Sequence, residues 1–146
     1  MKKFLIAANA NKDKNLIMAK QEQNYIELHG GTGEICVDAE NIPEDCNVDC
    51  VIILGGDGTM LMASGRLAGK GIPMIGINLG TVGFMADVDP SNLEDALDSL
   101  LHDRYRIEER MNLAGTIYHN GQETEAATAL NDIVVARSGY SRIICL

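Results

Sequence analysis

No run of apolar residues in this 146-residue sequence comes near the ~20 needed to cross a bilayer, so a membrane-spanning helix is excluded. The start, Met1-Lys2-Lys3-Phe4-Leu5-Ile6-Ala7-Ala8, has the outline of a secretory leader. Its apolar run is short and polar Asn9 to Asn15 follow at once, which fits a buried first strand better. Basic residues are too few for a nucleic-acid binder: Lys and Arg number 12 against 21 Asp and Glu, a formal net charge of −9 with no basic stripe. Cys36, Cys46, Cys50 and Cys145 form no CxxC pair and have no His at ligand spacing, so they read as reduced structural thiols rather than a metal site. Repeats and low-complexity tracts are absent as well. The expectation is a cytoplasmic globular protein with no membrane and no nucleic-acid partner.

Two common nucleotide loops are also missing. Gly69-Lys70 has Ser64 where a G-x-x-x-x-G-K-[ST] loop needs its first glycine, and Gly71 follows the lysine. No G-x-G-x-x-G opens a helix after a strand. A P-loop NTPase and a standard dinucleotide-binding dehydrogenase each lose their defining element.

What is present alternates short buried strands with helical stretches. Phe4–Ala8 and the β-branched run Val51-Ile52-Ile53-Leu54 read as strands, the second covered on both faces. Leu16 to Leu28 reads as a helix stopped by Gly30-Gly31, Glu34–Asp38 as a short strand, and Asn41 to Asn47 as a linker around Pro43. Met60 to Lys70 has helical character, and Met74–Ile77 is the next strand. Strand, crossover helix and strand in this order imply a parallel sheet. Leu93, Ala96, Leu97, Leu100 and Leu101 form one apolar stripe, with Asp89-Pro90 before it and a capping box expected between Ser91 and Glu94. Near residue 110 the pattern turns extended: Asn112–His119 and Glu123–Ala136 flank Asn120-Gly121, a strong hairpin signal, and residues 142–146 read as a further strand. The expected fold is α/β, a Rossmann-like parallel sheet with flanking helices over 1–109, followed by the start of an all-β domain over 110–146.

The chemistry concentrates in Gly55-Gly56-Asp57-Gly58-Thr59, placed where open α/β sheets bind ligands, beyond the carboxyl end of a strand. Three glycines leave the backbone free to take positive φ and to approach a phosphate closely. The following helix would point its N-terminal amides at that anion. A carboxylate in such a loop is repelled by the ligand, so Asp57 makes chemical sense there as a metal holder or as the acceptor of a proton from an attacking hydroxyl. The alternative is a tight strand-to-helix turn with Asp57 capping the helix.

This turn is shared by a superfamily of GGDGT kinases. Ile75-Gly76-Ile77-Asn78-Leu79-Gly80-Thr81-Val82-Gly83-Phe84-Met85-Ala86-Asp87 is similar to the GxNxGxLGF stretch of NAD kinases, and Ala129-Leu130-Asn131-Asp132-Ile133-Val134-Val135 to their NE/D motif. The chain therefore resembles the NAD kinase family. Val82 departs from the family's commoner Leu. The resemblance implies transfer of phosphate from ATP to the 2′-hydroxyl of the adenosine ribose of NAD, with a divalent metal such as Mg²⁺. It implies Asp57 as general base, and Gly55, Gly56, Gly58 and Thr59 as the turn that lines the phosphates. Phe84 would stack on adenine, with core packing as its alternative. Asn131 and Asp132 would hydrogen-bond adenine and ribose, with a polar break at a strand end as theirs. Arg142 would be a basic residue near the substrate, or else a solvated strand arginine. Homo-oligomers are common in the family, although these residues specify none. Of the family's second domain the sequence holds the opening only, so the implied site is complete only in part. Another GGDGT kinase acting on a lipid or sugar, and a non-catalytic nucleotide-binding fragment, stay open as alternatives.

Overall fold

A computed structural model describes residues 1–80, 83–86 and 88–134. The chain divides into two compact units, Met1–Glu109 and Arg110–Leu146.

In the first unit four parallel strands form one sheet: β1 (Lys3–Ala8), β2 (Thr32–Val37), β3 (Cys50–Gly55) and β4 (Met74–Asn78), in the order β2-β1-β3-β4. Ile6 pairs with Ile35 on one side and Ile52 on the other, while Ile53 pairs with Gly76. Alternation along the strands feeds two apolar layers. Phe4, Ile6, Ile52, Leu54 and Ile77 meet α1 (Ile17–Leu28) and α3 (Leu93–Leu101) on one face. Leu5, Ala7, Val51 and Ile53 meet α2 (Asp57–Leu67) on the other, through Met60, Ala63 and Leu67. The continuous hydrophobic run of β3 is thus explained by burial on both faces; every residue of it is buried. Among the described residues no helix is long and apolar enough to cross a membrane.

Several local expectations shift. The second helix starts at Asp57, not Met60, because Gly56 in extended conformation (φ −157°, ψ −168°) feeds β3 straight into it. No capping box forms between Ser91 and Glu94. The Asp89 carboxylate instead accepts from the Ser91 amide at 2.8 Å and from its hydroxyl at 2.6 Å, opening a short 3₁₀ turn, Pro90–Asn92, ahead of α3. Cys36, Cys46 and Cys50 are free thiols, and burial pushes the Cys50 thiol up to about 12; Cys145 lies outside the described residues.

The second unit contains an antiparallel hairpin of β5 (Leu113–His119) and β6 (Gln122–Ala129), with a register irregularity between Ile117 and Tyr118. Asn120 (φ 52°) and Gly121 (φ 79°) both sit in the left-handed region, the backbone of a type I′ turn, whose twist matches the flanking strands. β6 ends at Ala129, short of the expected Ala136; the strand expected over 142–146 lies outside the described residues.

One buried group is out of keeping with this core. Glu22 on α1 is 2% exposed, and neither carboxyl oxygen has a hydrogen-bond partner among the described residues. Burial, with added repulsion from Asp13, pushes its pKa up from 4.5 to about 8. The folded state therefore holds a proton there that the unfolded chain gives up above pH 4.5. By linkage, stability is greatest below that value and is lost as pH rises toward 8. We expect the urea midpoint of the protein to fall between pH 5 and pH 8, by an amount equivalent to a few kcal/mol (order of magnitude), and Glu22→Gln to flatten that dependence. An equal pH dependence in both proteins would show that Glu22 is not the group responsible.

Candidate active site

Strand order places the site. β2 lies on one side of β1 and β3 on the other, so the chain's connections diverge between the carboxyl ends of β1 and β3, where open α/β sheets form a crevice. Two loops border that point: residues 9–13 after β1, and the Gly55–Thr59 turn after β3.

The glycines of the turn do not act through positive φ. Among the described glycines only Gly30, Gly69, Gly71 and Gly121 take it, which corrects the expectation drawn from flexibility. Their reason is space. A Cβ on Gly55 would overlap the Thr59 side chain, which folds back over the strand end. A Cβ on Gly56 would lie 2.7 Å from the Lys12 ammonium nitrogen. At Gly58 nothing stands within 4 Å, and the residue is exposed.

Asp57 is the first residue of α2, and no side chain caps this helix, so the capping alternative fails. Its carboxylate reaches across instead to the segment after β4. Oδ2 accepts from the Phe84 amide and Oδ1 from the Met85 amide, each at 3.0 Å. These bonds, helped by the Ala86 amide and the Lys12 charge, hold the Asp57 carboxyl below the usual carboxylate range. Gly83 makes the approach feasible, since a Cβ there would overlap the carboxylate. The same segment returns along β4, where the Asn78 amide donates to Val88 O at 2.9 Å and Gly76 leaves room for Ala86. Phe84 is therefore tied by its backbone while its ring is 96% exposed, and the core-packing alternative for it fails.

Sequence reasoning missed Lys12. Its side chain stands between Gly56 and Gly80: a Cβ on Gly80 would lie 3.1 Å from its ammonium nitrogen. The loop that carries it is braced. The Lys12 and Asp13 amides donate to Asn9 O at 3.0 and 2.9 Å, the Asn9 amide donates to Leu54 O at 2.9 Å, and the Asn9 side-chain amide to Thr59 Oγ1 at 3.4 Å. A cation in the loop directly after a parallel strand was the available signal. Lys12 also borders a cleft of about 510 Å³, shared with Met18, Asn78, Gly80 and Asp89.

Gly55, Gly56, Asp57, Gly58, Thr59 and Phe84 thus form one grouping in the first unit. Asn131 and Asp132 belong to the second unit, just past β6, and both are exposed. Arg142 lies outside the described residues. Among those described, no three His, Cys, Asp or Glu side chains come together as a metal cluster.

A family model, the ATP-NAD kinase N-terminal domain, matches residues 41–105, which span the turn and the Phe84 segment. The NAD kinase of Lachnoclostridium phytofermentans is 41% identical over 155 residues, covering 99% of this chain and 54% of that protein. The chain belongs to the NAD kinase family. The NAD kinase of Agathobacter rectalis is 38% identical over 157 residues, covering 100% of this chain and 54% of that protein. The chain spans about half the length of the curated relatives it matches. In fold it is similar to an Archaeoglobus fulgidus NAD kinase solved with ATP (TM-score 0.59, 24% identity, 84% of this chain and 45% of that one). It is similar too to yeast NADH kinase solved with NADH (TM-score 0.59, 14% identity, 89% and 47%).

If the Asp57 carboxylate positions the Phe84 segment, breaking its two bonds frees that segment. We expect faster amide exchange at Phe84 and Met85 in Asp57→Asn, which sets a side-chain NH₂ against a backbone N–H, and in Gly83→Ala, which displaces the carboxylate. Unchanged exchange at both amides in both variants would rule out this positioning.

Proposed function

We propose that this NAD kinase family chain carries the phosphoryl-transfer centre for the 2′-hydroxyl of the adenosine ribose of NAD, with ATP as donor. The observation that carries the reading is the Asp57 carboxylate. It lies at the start of α2, at the carboxyl end of the central strand, with the Phe84 backbone on one side and the Lys12 ammonium near it.

In this reading the first unit holds the phosphates against the Gly56–Gly58 backbone, with the uncapped N-terminus of α2 behind them. The 2′-hydroxyl faces Asp57, whose oxygens keep lone pairs beyond those taken by the two amides. The ribose oxygen attacks the γ-phosphorus. The bond from that phosphorus to the β,γ-bridging oxygen breaks, ADP leaves, and the hydroxyl proton passes to Asp57. Because its pKa is held low, Asp57 takes that proton late, as the hydroxyl acidifies on bonding to phosphorus. Most of the rate then comes from positioning and charge neutralisation, as a loose transition state requires. The exposed Phe84 ring offers a stacking surface for adenine. Asn131 and Asp132, in the second unit, are assigned to adenine and ribose, and Arg142 to the substrate, on the resemblance alone.

A divalent ion such as Mg²⁺ would be held by the bound phosphates together with the Asp57 carboxylate, a donor set of the kind Mg²⁺ commonly takes. It would neutralise charge on the triphosphate.

The test is NADP formation from NAD and ATP by the purified chain, followed by coupling to an NADP-specific dehydrogenase. We expect Asp57→Asn to lower turnover by at least ~10²-fold, within the usual range for a lost general base. Turnover equal to that of the parent chain would remove Asp57 from the role. Phosphorylation of diacylglycerol or fructose 6-phosphate in place of NAD would overturn the substrate assignment.

A further inference from the structure

We propose that Lys12 is a phosphate clamp: its ammonium, fixed over the divergence of β1 and β3, binds the polyphosphate of the nucleotide held at the Gly56 turn. This rests on reading that turn as a phosphate site.

Three observations carry it. First, the charge is uncommitted. Among the described residues no carboxylate lies within ion-pairing distance of the Lys12 ammonium and no hydrogen bond from it is made, although Asp57 is near enough to feel its field. The two acids among the described residues that line the adjoining cleft are spent. Asp13 is buried and accepts from the Met18 and Ala19 amides at 3.0 and 2.9 Å, while Asp89 holds Ser91. Second, the position is built. Lys12 hangs from a loop tied through Asn9 to Leu54 and to Thr59, the residue that folds over Gly55, so the loop that bears the cation is joined to the turn. Third, the space around it is kept clear by glycine. Gly56 and Gly80 flank the ammonium, and a side chain at either would crowd it.

Chemistry then selects the ligand. A compact ammonium with three donors, beside main-chain amides and a Cβ-free surface, matches an anion with several oxygens. In a chain of net charge −9, such an anion needs a local cation. Lys12 is the single cation among the described residues that line the adjoining cleft. It is a positioning residue: it fixes phosphate oxygens and neutralises their charge, with no part in proton transfer.

Isothermal calorimetry on the full chain tests this with inorganic triphosphate, ATP and NAD titrated separately. We expect Lys12→Met to weaken triphosphate binding about tenfold or more, as loss of a charge-assisted contact should. Its thermal midpoint should stay unchanged, and Lys12→Arg should keep most of the affinity. Weakened ATP binding with unaltered NAD binding places the clamp on the donor's triphosphate; the reverse places it on the dinucleotide's pyrophosphate. Equal triphosphate affinity in Lys12→Met and parent overturns the proposal, as does a parent chain that does not bind triphosphate. Triphosphate binding through Lys12 in a chain that never phosphorylates NAD would instead refute the kinase reading and leave the clamp in place.

Discussion

The site depends on the overlap of Thr59 with the space where Gly55 would carry a Cβ. Because that space is vacant, α2 begins immediately after the buried strand, with Gly56 as the single extended residue between them. The same threonine hydroxyl receives the Asn9 side-chain amide, which brings the β1 loop against the β3 turn. Two loops far apart in sequence thus share one anchor. Any residue larger than glycine at 55 would push Thr59 away and separate the Lys12 loop from the Asp57 turn.

A second layer of constraint comes from Asp57. A carboxylate in a prospective phosphate site costs electrostatic energy against the ligand. Here its charge is already offset by two backbone amides before any ligand arrives. The acid therefore has a structural occupation as well as a proposed chemical one: it draws the segment after β4 over the turn and leaves the Phe84 ring in solvent. Fixed groups of this kind do not have to reorganise when charge develops, which is where preorganised sites gain their advantage.

Much of both units was legible from pattern. The run Val51–Leu54, the apolar stripe from Leu93 to Leu101 and, in the second unit, the Asn120-Gly121 turn each carry a local signal strong enough to fix an element, and the parallel sheet followed from the order of strand, crossover helix and strand between Val51 and Ile77. The failures share a cause: they turn on contacts across the chain. Ser91 and Glu94 have capping-box spacing, yet Asp89 reached the Ser91 amide first. Gly55 and Gly56 were expected to take positive φ, but neither does, and Thr59 and Lys12 occupy their Cβ space. Lys12 lay in a polar stretch, and its place directly after a strand gained meaning only when the strand order put the end of β1 beside the end of β3. The bond from Asp57 to Phe84 spans a crossover, and no spacing rule contains it.

Glu22 bears on this site although it touches none of it. It lies one helical turn beyond Met18, on the stretch of α1 that borders the Lys12 cleft. Kept neutral by its surroundings at pH 7, it leaves the folded molecule one charge less negative than its formula, and the missing charge is one that would have been lodged in a low-dielectric interior beside Asp13, which lines the cleft of the proposed phosphate site. An acid in the core thus would spare an anion at the proposed site a repulsion that an ionised acid there would impose.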